Sequence, residues 1–269
     1  MMKLIERPFY LNQLKRVKGV PDIKVITGIR RCGKSKLMAS YAEYIRKVDL
    51  NANIINIDYS DIEFEELKHY QTLNSYVEEH YCSSKNNYLF IDEVQMCEGF
   101  ELALNSLHAS EKYDIYVTGS NAFLLSSDLA TLFTGRTFSI ELFPFSLREY
   151  MDYFEQSDVY EAFIEYRKTG GMSGSYVYHD EASRSRYLND VFDTLVIRDI
   201  VQKYKIRNLP LLEKITDFLM NNVSNLVSAN KMANTLISNR IKTNDRTVSA
   251  YISHLCHAFA FYRIRRYDI

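Results

Sequence analysis

The sequence predicts an α/β fold, a P-loop-type parallel sheet flanked by helices, followed by a mostly helical lid and a winged-helix-like domain. Three observations predict it. A short apolar strand (Lys24-Val25-Ile26-Thr27), a glycine turn (Gly28 to Ser35) and a helical stretch (Lys36 to Val48) follow one another without a gap. A second apolar run, Tyr88-Leu89-Phe90-Ile91, ends in Asp92-Glu93. A strand buried on both faces reads this way when it brings a carboxylate to the C-terminal edge of a parallel sheet. From Leu211 onward three stretches carry apolar residues at helical spacing, and Phe261 to Ile269 alternates like a strand.

Composition narrows the function classes. A chain of 269 residues, 46% of them hydrophobic, has room for two domains and a proper core. Its net charge of −1 supplies no global field for nucleic acid, so any such surface is local. Cys32, Cys82, Cys97 and Cys256 are scattered and form no C-x-x-C pair. Cys32 lies inside the glycine turn, where a disulfide would interfere, which points to a reducing cytoplasm. The chain has no run of about eighteen apolar residues and no signal-peptide core at its N-terminus, so no membrane association is expected.

The elements follow in order. Pro8-Phe9-Tyr10-Leu11 and Leu14 are expected to pack along the sheet edge, contact of Arg7 or Tyr10 with an adenine base being the alternative. Gly28-Ile29-Arg30-Arg31-Cys32-Gly33-Lys34-Ser35 fits G-x-x-x-x-G-K-[ST] at every fixed position. Glycines let successive N–H groups converge into an anion-binding nest, and the helix that starts there adds the positive end of its dipole. Gly28, Ile29, Arg30, Arg31, Cys32, Gly33, Lys34, Ser35 and Lys36 are therefore the expected nucleotide-binding set. Lys34 reaches the β- and γ-phosphates and Ser35 offers one oxygen to Mg²⁺.

Ala52 to Asp58 reads as a second strand and Glu63 to Tyr81 as a helix. Asp92 is the expected Mg²⁺ ligand, directly or through water, and Glu93 the expected general base for a water. A glutamate directly after the metal-binding acid favours hydrolysis over transfer to a small-molecule acceptor. Phe100 to Lys112 reads as a helix and Tyr113 to Thr118 as a strand, followed by Gly119-Ser120-Asn121. Thr118, Ser120 and Asn121 all qualify as the polar group between metal and γ-phosphate; Ser120 stands first and Asn121 second, and Ser120 serves equally as a helix cap. Thr137 to Leu142 reads as a fifth strand, and Arg136 before it is a candidate for charge stabilisation, in its own subunit or a neighbour's; a surface ion pair is the alternative.

These residues carry a resemblance. The phosphate loop with paired arginines, Phe90-Ile91-Asp92-Glu93-Val94-Gln95, Val117-Thr118-Gly119-Ser120-Asn121, Thr134-Gly135-Arg136 and Glu141-Leu142-Phe143-Pro144-Phe145-Ser146 together resemble prokaryotic AAA+ ATP-binding proteins of the archaeal-ATPase-like branch, distantly similar to origin-recognition ATPases. The resemblance extends through Gly170-Gly171-Met172 and Val196-Ile197-Arg198-Asp199-Ile200, although relatives more often carry phenylalanine-proline where Met172-Ser173 stands. It implies ATP rather than another nucleotide. It also implies a further nuclease-like domain in relatives, of which these residues show nothing.

In the second half, Leu147 to Phe154 and Tyr160 to Lys168 read as helices, the glycine-rich run from Gly170 to Ser175 as a turn, and Arg184 to Tyr204 as one long helix. Arg198 and Arg207 are equal candidates for a second sensor as in similar ATPases, a solvated face or an ordinary surface ion pair being the alternative for each. Leu211 to Asn221, Ser228 to Ile237 and a helix beginning at Asn244 or Asp245, with the terminal strand, suggest a winged helix. Leu211 to Ile269 holds eight Lys or Arg against four Asp or Glu, a surplus of four positive charges. Arg246, Ser249 and Ser253 on the third helix, with Arg263, Arg265 and Arg266 after it, form the layout of groove entry with phosphate clamps. Duplex DNA and a protein partner are thus the two alternatives for this region. The expected division is residues 1–149 (ATPase), 150–210 (lid) and 211–269 (winged helix, its wing cut short).

Overall fold

A computed structural model describes residues 5–119, 133, 135–194 and 199–264. The chain divides into two compact units, Met1–Ser185 and Arg186–Ile269. The boundaries expected at 149 and 210 thus each fall inside a unit, and the 150–185 segment belongs with the sheet.

The first unit is built on a five-stranded parallel sheet in the order β2-β3-β4-β1-β5, with β1 Ile23–Thr27, β2 Ala52–Asp58, β3 Asn86–Asp92, β4 Tyr113–Thr118 and β5 Thr137–Glu141. Helices α1 (Pro8–Arg16), α2 (Lys34–Val48), α3 (Tyr70–Glu79) and α4 (Phe100–Ala109) cover its two faces. Strand alternation sorts the core. Ile23, Val25, Leu89, Ile91, Ile115 and Val117 pack with Leu73, Val77, Leu104 and Leu107 of α3 and α4. Ile26, Tyr88, Phe90, Tyr116 and Ile140 pack with Leu11, Leu14, Leu37, Tyr41 and Ile45 of α1 and α2 on the other face. The N-terminal segment therefore covers a face rather than an edge, with Tyr10, Leu11 and Leu14 buried and Phe9 exposed.

Register decides what the sheet presents. Asp58 stands opposite Asp92, Ile26 opposite Thr118, and Thr27 opposite Glu141. The strand ends that carry Thr27, Asp58, Asp92 and Thr118 consequently share one edge, where ligands bind in open α/β sheets.

The helix expected over 63–81 is divided. A 3₁₀ turn spans Ile62–Leu67 and α3 begins only at Tyr70. Between them, Glu98 N–H donates to the Lys68 carbonyl at 2.8 Å and Tyr70 N–H to the Glu98 carbonyl at 2.9 Å. This pairing holds His69 extended and interrupts the helix.

After the sheet come α5 (Leu147–Phe154), capped by a Ser146/Glu149 capping box, and α6 (Val159–Thr169), capped by Asp158. Gly170 (φ 66°) ends α6, as the turn reading expects.

Of the run expected as one helix over 184–204, α7 (Glu181–Phe192) and α8 (Ile200–Tyr204) are helical, as are 193–194 and 199, and residues 195–198 lie outside the description. In the second unit α9 (Leu209–Asn221), α10 (Ala229–Ser238) and α11 (Asp245–His257) start at the caps Asn208, Ser228 and Asn244. Helix α11 packs on α8, α9 and α10 through Val248, Ile252 and Leu255. Residues 261–264 form no strand, and 265–269, which include Arg265 and Arg266, lie outside the described residues. Among the described residues, no helix is long and apolar enough to cross a membrane.

Candidate active site

The glycine turn leaves β1 at the sheet's C-terminal edge, and its shape is dictated by contact. Leu142 N–H donates to the Thr27 carbonyl at 2.8 Å. This brings the Leu142 carbonyl so close that a Cβ on Gly28 would lie 2.2 Å from its oxygen. Only glycine fits there, and its φ of 142° adds a second reason. Arg31 (φ 64°) and Gly33 (φ 102°) also take left-handed conformations, turning the loop back on itself. Gly33 caps α2 without a side chain, so the first amides of the helix are left to an external acceptor.

Lys34 is buried and its ammonium donates to the carbonyls of Gly28 at 3.0 Å and Ile29 at 3.2 Å. It thus lies folded along the loop whose phosphates it is expected to bind. Cys32 is buried behind the loop, and burial pushes its thiol pKa up, making it a packing group rather than a nucleophile. Arg30, Arg31, Ser35 and Lys36 are exposed and Ile29 is half-buried.

Across from the loop, Asp92 is buried at the end of β3. Thr118 hydrogen-bonds its carboxylate, and the Ser35 hydroxyl stands near it. Burial pushes the Asp92 pKa up; the two hydroxyls work against that, and the charges of Glu93 and Asp58 reinforce it. Thr118 Oγ1 also accepts the Glu93 amide at 3.2 Å. Glu93 itself sits at φ 52°, ψ 46°, an unusual conformation for a glutamate and one that concentrates at functional sites. Its carboxylate accepts a hydrogen bond from Gln95 Nε2.

The donor set suits a hard cation. Among the described residues no group of three or more His, Cys, Asp or Glu forms a self-sufficient metal cage. One buried carboxylate beside one serine hydroxyl is instead what Mg²⁺ uses when substrate phosphates complete its shell.

The structure thus brings together the phosphate loop, Ser35, Asp92 and Glu93. It promotes Thr118 from among the three alternatives: the β3–β4 register, with Ile91 opposite Val117, sets it beside Asp92. Ser120, Asn121 and Arg198 lie outside the described residues. Arg207 is exposed in the second unit. Arg136 requires a correction. Its carbonyl accepts the Ile23 amide at 2.9 Å, at the start of β1, whereas the phosphate loop leaves β1 at the other end. Five residues of strand, roughly 16 Å, separate the two, so Arg136 does not face its own subunit's phosphate loop. The sequence reading also passed over Gln95 and the pairing of Arg7 with Glu149, since neither follows from spacing.

Comparison with known proteins agrees with this geometry. Residues 20–151 match the family model described as an AAA domain, and residues 160–269 match a domain of unknown function (DUF8612). The chain is 37% identical over 272 residues to an uncharacterized protein of Haemophilus influenzae, covering 99% of this chain and 68% of that one. It is 24% identical over 284 residues to an uncharacterized protein of Methanocaldococcus jannaschii, covering 99% of this chain and 62% of that one. Among solved structures, a Walker-type ATPase of Pyrococcus abyssi superposes with a TM-score of 0.58 at 14% identity, over 95% of this chain and 90% of that one, a likeness of fold. The chain thus carries an AAA domain over residues 20–151 on a P-loop α/β fold, and it belongs to one family with the Haemophilus influenzae protein.

Proposed function

We propose that the chain binds ATP with Mg²⁺ and hydrolyses it to drive a conformational change in a DNA-associated process. The observation that carries the hydrolytic reading is the cluster at one sheet edge: Asp92 hydrogen-bonded by Thr118 and near Ser35, with Glu93 next to it on a left-handed backbone. In this reading the loop amides and Lys34 hold the phosphates, and Ser35 and Asp92 hold the cation. Mg²⁺, when bound, neutralises charge on the β- and γ-phosphates. Glu93 orients the attacking water and takes its proton. Thr118 fixes both acids through one hydroxyl. Ser120 and Asn121 remain proposed sensors, and Arg136 acts only if a neighbouring copy presents it.

The DNA part rests on the second unit. Lys242 and Arg246 are exposed around the start of α11, and Arg240 and Arg263 are exposed nearby in sequence. That is the pattern of a phosphate-clamped helix.

A second reading, a nucleotide-operated switch that acts on a protein partner with slow turnover, draws on Gln95. Its hydrogen bond to Glu93 occupies the base that hydrolysis needs.

The deciding experiment pairs ATP turnover with nucleotide binding in wild type and Glu93→Gln. We expect the variant to bind ATP like wild type and to lose about 10²- to 10⁴-fold in turnover, the usual contribution of a general base. Wild type that binds without turning over would favour the switch. Turnover that survives the substitution would remove Glu93 from the mechanism.

A further inference from the structure

Arg7 is buried, with 5% of its surface exposed, at the start of α1. Its Nε donates to Glu149 Oε1 at 2.6 Å and one terminal nitrogen to Glu149 Oε2 at 3.0 Å. The same terminal nitrogen donates to the Phe143 carbonyl at 2.9 Å. The other donates to the Cys32 carbonyl at 3.2 Å. The guanidinium lies between two rings, 4.6 Å from the Tyr10 centroid and 5.1 Å from that of Phe145. Glu149 is held in turn by the amide and hydroxyl of Ser146, at 2.8 and 3.0 Å.

A simple brace between α1 and α5 does not call for this. Apolar side chains join two helices without the desolvation that a buried ion pair incurs. What distinguishes the arrangement is the Cys32 carbonyl. That oxygen belongs to the peptide between Cys32 and Gly33, flanked by the left-handed Arg31 and Gly33. In a trans peptide the C=O and the N–H point in opposite directions. A group that holds the Cys32 oxygen on the outside of the loop therefore turns the Gly33 N–H to the inside, where an anion nest needs it.

We infer that Arg7, oriented by Glu149, is a positioning residue of the phosphate loop: it grips the Cys32 carbonyl and so aims the Gly33 amide at the polyphosphate. The inference rests on the nucleotide reading above. It assigns Arg7 to the phosphates through the loop backbone, not to the adenine base. It also explains why the N-terminal segment and the Phe143-to-Glu149 stretch accompany the phosphate loop: each supplies a part of one clamp.

The test is calorimetric binding of ATP and of inorganic tripolyphosphate, both with Mg²⁺, to the full chain as wild type, Arg7→Met and Arg7→Lys. The unfolding temperature is measured alongside without ligand. Arg7→Met should weaken both ligands alike by about ten- to a hundredfold, the range of one charge-assisted hydrogen bond. Arg7→Lys keeps a cation for Glu149 but has no fork to serve Cys32 as well. It should hold its unfolding temperature closer to wild type while losing affinity for both ligands, a split that a purely structural role would not produce. If Arg7→Met does not fold, Arg7→Lys decides. Wild-type affinity in the folded Arg7 variants overturns the inference. Loss for ATP with tripolyphosphate unchanged overturns it too, because it assigns Arg7 to the base. Wild type that binds neither ligand fails the nucleotide reading itself, and the inference with it.

Discussion

Asp92 and Glu149 are two buried carboxylates whose surroundings push them in opposite directions. Burial raises Asp92, which lacks a cationic partner among its described contacts and faces the charges of Glu93 and Asp58. A cation bound there would pull its pKa back down. For Glu149 burial also works upward, but the Arg7 hydrogen bond and the Ser146 amide outweigh it, and its pKa lies below the ordinary 4.5. A carboxylate with a lowered folded-state pKa contributes stability that is fully present above its unfolded pKa and disappears as pH falls through the folded value. Glu149→Gln should therefore unfold at a lower temperature than wild type at neutral pH. The gap should narrow as pH drops below the unfolded value of 4.5 toward the lowered folded value. Thermal unfolding from pH 7 to pH 3 reads this directly, and a gap that stays constant over that range would refute the pairing as the source.

At the scale of elements, the loops after β1 and after α6 depend on glycine for the same physical reason, the close approach of a carbonyl. Gly28 meets the Leu142 oxygen, and a Cβ on Gly171 would lie 2.3 Å from the Phe145 oxygen and 3.0 Å from its nitrogen. The Phe145 amide in turn donates to the Gly171 carbonyl at 2.7 Å. That contact ties the turn after α6 to the entry of α5, under an aromatic cluster of Phe145, Tyr150 and Tyr176 with Tyr153 and Tyr166 against it. The Tyr166 hydroxyl closes the cluster by donating to the Phe145 carbonyl at 2.6 Å. Gly171→Ala should lower the unfolding temperature, by about 2–4 °C for each kcal/mol lost in a chain of this size. Gly170→Ala probes the neighbouring residue differently. Its added Cβ has nothing within 4 Å, but its φ of 66° strains any other residue. Gly171→Ala as stable as wild type would mean that the backbone there yields, against the close-packed reading.

At the scale of the whole molecule, the chain spans 68% and 62% of the two curated relatives it matches. The phosphate loop, Asp92 and Glu93 lie within Met1–Ser185, and the basic surplus from Leu211 onward lies within Arg186–Ile269. With a net charge of −1 for the chain, DNA affinity would have to come from that local surplus. Duplex DNA binding measured across a salt series should then fall steeply, with a log–log slope of about 0.9 for each phosphate neutralised. Arg246→Ala should reduce that slope by about one. The absence of binding at low salt would leave the protein-partner reading in possession of the second unit.

Much of this was legible in the sequence because it is encoded locally. The phosphate loop is a run of eight residues whose spacing is its function. The apolar strands announce a sheet buried on both faces, and Asn208, Ser228 and Asn244 cap their helices within three residues of themselves. Local pattern was less reliable where distant backbone intervened, as at His69, where Glu98 divides what reads as one helix. What only the tertiary structure decided are relations across sequence distance. Parallel register places Thr118 at Asp92 and sets Arg136 at the sheet edge away from the phosphate loop, although both flank strands in the sequence in the same inviting way. Folding also brings Arg7 within 2.6 Å of Glu149, 142 residues away, and onto the back of the phosphate loop. Spacing specifies what a segment can form, because its periodicity and caps are properties of neighbours along the chain. Which segments meet is settled by burial and strand order, and those belong to the assembled core.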